Sequence, residues 1–268
     1  MTGIRYALLL CAAMTLEAAD PPLGIQVRDG LLKLMDGGRV QGAYLFTADH
    51  SQRKLYSDGS VKTADARKVR FETFEGERAA FVISRNGTAV GEADRKAQEE
   101  RIRKARAERH NLSAVEKAKR QKDREKRHKD QMAFMAEFAD AFDFKVTGKE
   151  TLNGRPALVV TFTPRAAYKP GSLRARVFVK ARGKAWLDEQ ERQLAKFEGE
   201  IFDDMSLGGV LANVGKGSGF EARQVRLGPG EWAPEYEHTH FVGRLLLVKS
   251  FREEETSTYT GYARIAAR

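Results

Sequence analysis

Alternation of apolar and polar residues with a period of two runs through most of this chain. Ala195, Phe197, Gly199 and Ile201 alternate with Lys196, Glu198 and Glu200, the pattern of a strand with one buried and one wet face. Val69, Phe71 and Thr73 alternate with Arg70 and Glu72, and Tyr44 and Phe46 share one face of a strand placed at Val40 to Phe46. Leu158, Val160 and Phe162 alternate with Val159 and Thr161; Val159 makes this pattern two-sided and predicts a central strand. Asp58-Gly59, Glu75-Gly76, Asn86-Gly87 and Asn153-Gly154 are turn signals between such runs. From Gly183 to the C-terminus the runs follow closely, at Ala185–Leu187, Gln193–Phe202, Val210–Val214, Phe220–Leu227, Trp232–Val242, Leu245–Phe251 and Ser257–Ile265.

Helical spacing interrupts this pattern in two places. Leu23, Val27, Leu31, Leu34 and Met35 predict a short amphipathic helix over residues 23–36, ended by Gly37-Gly38. From Asp94 to Asp130 almost every residue is charged, Ala or Gln. That composition predicts one helix from Glu92 to Arg109 and a second running to Phe142. Ser113 stands in N-cap position for the second helix, with Glu116 completing a capping box. Its last turns place Met132, Met135, Phe138 and Phe142 on one face, which is expected to dock on the sheet. Leu173–Val179 fits a short helix or a strand equally. The order of elements predicts an α+β, mainly antiparallel β fold. Its sheet is long enough to curl into a strongly curved barrel or half-barrel, with the helices gathered on one face.

The first residues add an expectation about location. Arg5 precedes a short apolar run that ends in small residues near Ala18 and Ala19, which reads as a secretory signal peptide over residues 1–19. Residues 20–268 then form a single domain carrying the helical insertion at about 92–143, exported to the periplasm or beyond the cell. Cys11 is the only cysteine, so the chain left after such cleavage has no disulfide and no thiol chemistry. Net charge is +10. Between residues 94 and 130, fifteen residues are Lys or Arg and eight are Asp or Glu, so a net +7 lies in that segment. Such a segment is either a solvated helix pair laced with ion pairs or a contact for an anionic membrane surface. Export and the lack of interleaved aromatics argue against nucleic acid as its partner.

Several short motifs carry a resemblance. The leading helix at 23–36 and Tyr44 on the first strand are followed by Gly183-Lys-Ala-Trp186-Leu-Asp188, Gly230-Glu-Trp232-Ala-Pro234 and Ser257-Thr-Tyr259-Thr-Gly-Tyr262. In this order, and behind a signal peptide, they resemble the LolA/LolB superfamily of periplasmic lipoprotein carriers and the lipid-binding N-terminal domain of RseB. The resemblance covers most of the mature chain. It implies an open antiparallel half-barrel with a helical lid on its apolar concave face, a lipid or lipoprotein acyl chain as ligand, no cofactor and no catalysis. The 94–130 helices depart from the family pattern in length and charge. Tyr44, Phe46, Val69, Phe71, Leu158, Val160, Phe162 and Trp186 are expected to share one side of the sheet. Met132, Met135, Phe138 and Phe142 are expected to cover it. Together these twelve residues are the candidate apolar pocket, with a packed core as the ordinary alternative.

Other chemistry finds little footing. His238 and His240 share a strand face, with Glu235 and Glu237 on the other, but no third metal ligand stands nearby in sequence. There is no Gly-x-Ser-x-Gly elbow. Asp203-Asp204 and Glu253-Glu254-Glu255 read as solvated charge. Gly215-Lys-Gly-Ser-Gly219 lacks the spacing of a phosphate loop and reads as a glycine-rich hairpin or bulge.

Overall fold

In the computed structural model, residues 21–35, 41–207, 212–245 and 249–265 are described. The expected signal peptide and the Gly37-Gly38 helix stop lie outside them. The chain opens with helix α1 (Leu23–Met35) and strands β1 (Tyr44–Leu55), β2 (Val61–Phe74), β3 (Glu77–Arg85) and β4 (Thr88–Ala89). Helices α2 (Glu92–His110) and α3 (Ala114–Ala141) come next, then β5 (Phe142–Leu152) and β6 (Arg155–Pro164). A 3-10 helix at Arg174–Lys180 settles the undecided stretch and leads to β7 (Ala181–Asp188) and β8 (Leu194–Ile201). The rest is β9 (Met205–Leu207), β10 (Ala212–Val214), β11 (Gly219–Gly228), β12 (Glu231–Leu245) and β13 (Lys249–Arg264).

The strands form one antiparallel sheet in the order β4-β3-β2-β1-β13-β12-β11-β8-β7-β6-β5, with β10 and β9 appended to β12. The two ends do not pair, so the sheet is open rather than a closed barrel. The predicted hairpins form at the marked turns. Asn86 and Gly87 have φ of 47° and 80°, and Asn153 and Gly154 have 49° and 76°, the left-handed pair that a two-residue hairpin turn requires. β6 is paired on both sides, by β5 and β7, as the two-sided pattern around Val159 predicts.

The connection from β4 to β5 joins the two ends of the sheet. Eleven strands about 4.8 Å apart put those ends about 50 Å apart along the sheet. A 28-residue α3 is about 42 Å long. The charged helical segment is therefore the strut that carries the chain from one edge to the other. Its second helix starts as expected: the Ser113 side chain accepts from Glu116 N, and the Glu116 carboxylate accepts from Ser113 N, a complete capping box.

Cross-strand partners share a face, so the register follows one surface across the whole sheet. Phe71 pairs Phe46, and Ala48 pairs Tyr259. Ser257 pairs Glu237, which pairs Ala222, which pairs Phe197. Phe197 pairs Ala185, which pairs Val160. At the β5–β8 end of this face sits the main core. Val27, Leu31 and Leu34 of α1, Met135 and Phe138 of α3, and Phe178 of the 3-10 helix are buried there against Phe142, Val160, Phe162, Leu187 and Phe197. Gly183 makes room for it. A Cβ there would stand 1.9 Å from the Glu198 carbonyl oxygen and 2.6 Å from the Phe162 ring. The bare backbone lets Phe162 lie across β7 and stack on Phe197 at 5.3 Å.

The helices do not all gather on this face. Glu72, Phe74 and Phe81 point to the opposite one, and α2 packs there. Arg95 lies 3.4 Å over the Phe81 ring and pairs with Glu72. Arg103 and Arg106 lie over Phe74, and Arg106 donates to the Phe74 carbonyl. Gln98 bonds both the N–H and the C=O of Val82, which covers the free edge of β3. The expectation of helices on one face therefore fails for α2. A helix with this little apolar surface is held by arginines on aromatic rings and by carboxylates, and those partners are on the back of β2 and β3.

Candidate functional site

The twelve expected pocket residues fall into separate groups. Val160, Phe162, Met135, Phe138 and Phe142 meet at the helix-covered end, and half-buried Leu158 lies on the same face opposite Leu187. Phe138 is the hub: its ring stands 5.0 Å from Phe142, 5.7 Å from Phe162 and 5.7 Å from Phe178. Tyr44, Phe46, Val69 and Phe71 lie on the same face at the other end, with Phe46 stacked on Phe71 at 4.3 Å. Six strand spacings separate β1 from β6, about 30 Å along the sheet. Met132 is 41% exposed and lies outside the core cluster, one turn before Met135 enters it. Trp186 faces the other way. Ala185 and Leu187 take the core face, so Trp186 packs with Ala157 and Val159 on the back. There its indole N–H donates to Glu150 at 2.8 Å, and Lys196 sits 4.5 Å over the ring. An indole needs such a hydrogen-bond partner when buried, and the polar back of β5 supplies it.

The conspicuous motifs of the sequence do meet in space. Asp188, with only 1% of its side chain exposed, pairs with Arg155 and caps the turn through the N–H groups of Gln190 and Glu191. Glu191 accepts from the Trp232 indole at 2.7 Å, from Arg226 at 2.6 Å and from Gly230 N. The Tyr262 hydroxyl donates to the Pro234 carbonyl, and Tyr259 donates to Glu237. The Trp-Leu-Asp, Trp-Ala-Pro and Tyr-rich stretches are thus tied into one frame by polar contacts that no single stretch reveals. Burial opposes the charge of Asp188, but Arg155 and the turn amides hold its carboxyl below the usual range. Burial raises the hydroxyls of Tyr259 and Tyr262, the latter to about 12.

Between the two ends, the face is polar. His50, Ser257 and Glu237 stand side by side on β1, β13 and β12. His50 Nδ1 is 2.8 Å from the Ser257 hydroxyl. Burial, and then the Arg67 charge, lower the His50 pKa and favour neutral imidazole. The serine lies between the imidazole and the carboxylate, whereas a nucleophile needs the imidazole between them. Glu237 is engaged by Tyr259 instead. His238 and His240 stack 5.7 Å apart on the back of β12, His238 bonded to Thr256. No cluster of three metal-binding side chains occurs among the described residues. Gly215–Gly219 is not a hairpin: β10 and β11 do not pair with each other but both pair β12, Val214 with Gly243 and Gly219 with His240, so the segment is a bulge between them.

The two charged helices differ in what their cations do. On α2, Arg95, Lys96, Arg103 and Arg106 are all in ion pairs. On α3, residues 114–130 are exposed throughout. Their eight Lys and Arg residues, against four Asp and Glu, enter no ion pair among the described residues. Val115, 78% exposed, is the lone branched apolar residue of this arm, so it has no apolar stripe to insert into a bilayer.

No protein-family model matches the sequence, and no curated protein does. Solved structures align over most of its length. A DUF1329 family protein from Desulfovibrio piger is 10% identical, with 89% of this chain and 93% of that chain covered and a TM-score of 0.27. A putative outer membrane lipoprotein-sorting protein domain from Vibrio parahaemolyticus is 9% identical, with 88% and 91% covered and a TM-score of 0.28. A LolA superfamily protein from Nitrosomonas europaea is 9% identical, with 89% and 94% covered and a TM-score of 0.25. At such scores the likeness carries no argument about what this chain does.

Proposed function

We propose that the chain is an exported, non-enzymatic carrier or sensor that takes a lipid or lipoprotein acyl chain between the sheet and the helices above it. One observation carries this reading. The largest apolar cluster lies between an open sheet and three separate covering pieces, α1, the last turns of α3 and the 3-10 helix. α3 is tied down there by few polar bonds, chiefly Glu137 to Tyr168 and to Gly171 N. Met135 and the phenylalanines can repack around a guest chain if α3 lifts. With a fluorescent fatty acid the expected result is saturable uptake that unlabelled laurate displaces. Absence of saturable uptake, together with no extractable lipid in protein purified without detergent, contradicts the proposal.

The unpaired cations of α3 support a second reading, in which the arm at 114–130 rests on an anionic membrane surface. Each Lys or Arg near such a surface contributes about 1 kcal/mol. Replacing four of them by Gln is expected to weaken binding to phosphatidylglycerol vesicles on the order of 1,000-fold at low salt. The same change in Arg95, Lys96, Arg103 and Arg106 should act through stability instead. Equal binding to neutral and anionic vesicles in a sedimentation assay contradicts this reading.

A further inference from the structure

Among the described arginines, Arg78 on β3 is the one with a buried side-chain nitrogen left unbonded. It shares the face of Phe46 and Phe71, and its guanidinium lies 4.9 Å and 4.4 Å from their ring centroids. Its Nε is shut off from solvent and makes no hydrogen bond. Arg95, Arg106 and Arg155 also lie over aromatic rings, and each has a carboxylate partner. Arg78 enters no ion pair among the described residues, and the group bearing on its charge is the Tyr262 hydroxyl. A half-buried cation without an anion is costly, and two ring faces return only part of that cost.

A groove of about 340 Å³ opens beside it, floored by Val69, Phe71 and Val82. Phe71 belongs to both, since the Arg78 guanidinium rests on its ring. Val82 is four residues from Arg78 on the same face of β3. The far end of the groove is closed by Glu255, to which Gln52 donates at 2.8 Å, and by His50. Arg67 and Asp65, 4.0 Å apart, line that end as well, so charges of both signs stand there, whereas beyond Phe71 the Arg78 guanidinium has no carboxylate partner among the described residues.

We propose that Arg78 is the anchor for an oxyanion, a carboxylate or a phosphate, borne by an amphiphile of medium chain length whose apolar part lies on Val69, Phe71 and Val82. The site is separate from the cluster under α1 and α3, and it stands or falls without acyl uptake there. A guanidinium suits this role because its planar fork meets both oxygens of such a group.

Calorimetric titration with octanoate, octyl phosphate, octanol and inorganic phosphate tests it on the whole chain, as wild type and with Arg78→Gln and Arg78→Lys. The wild type is expected to bind octanoate and octyl phosphate at least tenfold more tightly than octanol. Arg78→Gln should lose that difference and leave octanol unchanged, while Arg78→Lys keeps part of it. Inorganic phosphate binding as tightly as octyl phosphate, and lost with Arg78→Gln, supports the anchor and assigns it to a free anion. Anion affinity that survives Arg78→Gln, or octanol bound as well as octanoate, overturns the proposal. Thermal shift supplies a check on folding: octyl phosphate should raise the Tm of the wild type and not that of Arg78→Gln. Uptake of a long fluorescent fatty acid should be the same in both proteins, so failure of the anchor is distinguishable from failure of the acyl-chain reading.

Discussion

Asp188→Ala is expected to destabilise the fold by about 3–5 kcal/mol, the cost of breaking a buried ion pair and leaving its partner unmatched. The Arg155 side chain is 23% exposed and would face the void with only Glu191, 4.0 Å away, to offset its charge. The N–H groups of Gln190 and Glu191 would lose their acceptor in the same step. Glu191 would then be less well placed for Trp232 and Arg226, so the effect should reach β11 and β12. Denaturant unfolding of the variant measures it, and a loss below 1 kcal/mol contradicts the frame described above. The sign with pH follows from the same contacts. Asp188 and Glu191 both have folded-state pKa values below the ordinary carboxylate range, burial being outweighed at Asp188 by Arg155 and the turn amides and at Glu191 by the Trp232 and Arg226 bonds. A depressed carboxylate stabilises the fold above its unfolded pKa, and that contribution is lost as pH falls through the folded value. Wild-type stability should therefore decline below about pH 4, and that part of the decline should be missing in Asp188→Ala.

Phe162→Ala is expected to cost about 3–5 kcal/mol as well, for a different reason. The side chain is 2% exposed and touches the rings of Phe142 at 5.0 Å and Phe197 at 5.3 Å. Removing it leaves an apolar void beneath α3, in the place where an acyl chain is proposed to enter. Such a void stays dry and accepts apolar guests. Laurate should then restore part of the lost stability, and more than it adds to the wild type. A control on the back of the sheet, Trp186→Ala, should also destabilise but gain nothing extra from laurate. If laurate stabilises the two variants equally, the void under α3 is not where it binds.

Much of this fold is legible residue by residue. Asn153-Gly154 and Asn86-Gly87 mark hairpins because a left-handed pair of residues is needed there. Ser113 and Glu116 announce α3 because a helix start leaves N–H groups to satisfy. The order of the sheet is not legible: β1 lies against β13, and β8 against β11. Alternation says which residues of a strand share a face but not which strand lies alongside. That is why the candidate pocket splits, with Phe46 and Phe162 six strands apart on one face. Trp186 is misplaced for a simpler reason, since Ala185 and Leu187 beside it are apolar too and either set could face the core. α2 goes to the back because its partners are Glu72, Phe74 and Phe81, and alternation within β2 and β3 does not say which of their two faces a charged helix will cover. Arg78 carries no mark at all in the sequence, and only the register shows that it lies on Phe46 and Phe71.

The central claim is that an acyl chain enters between the sheet and the helices at the β5–β8 end. A fatty acid bearing a terminal diazirine, photolysed with the protein and mapped by peptide mass spectrometry, tests it most directly. The account predicts labels on residues 23–35 of α1, 131–144 at the end of α3, and on β6 and β8. Labels confined to the arm at 114–130, or spread evenly over the surface without saturation, would contradict it.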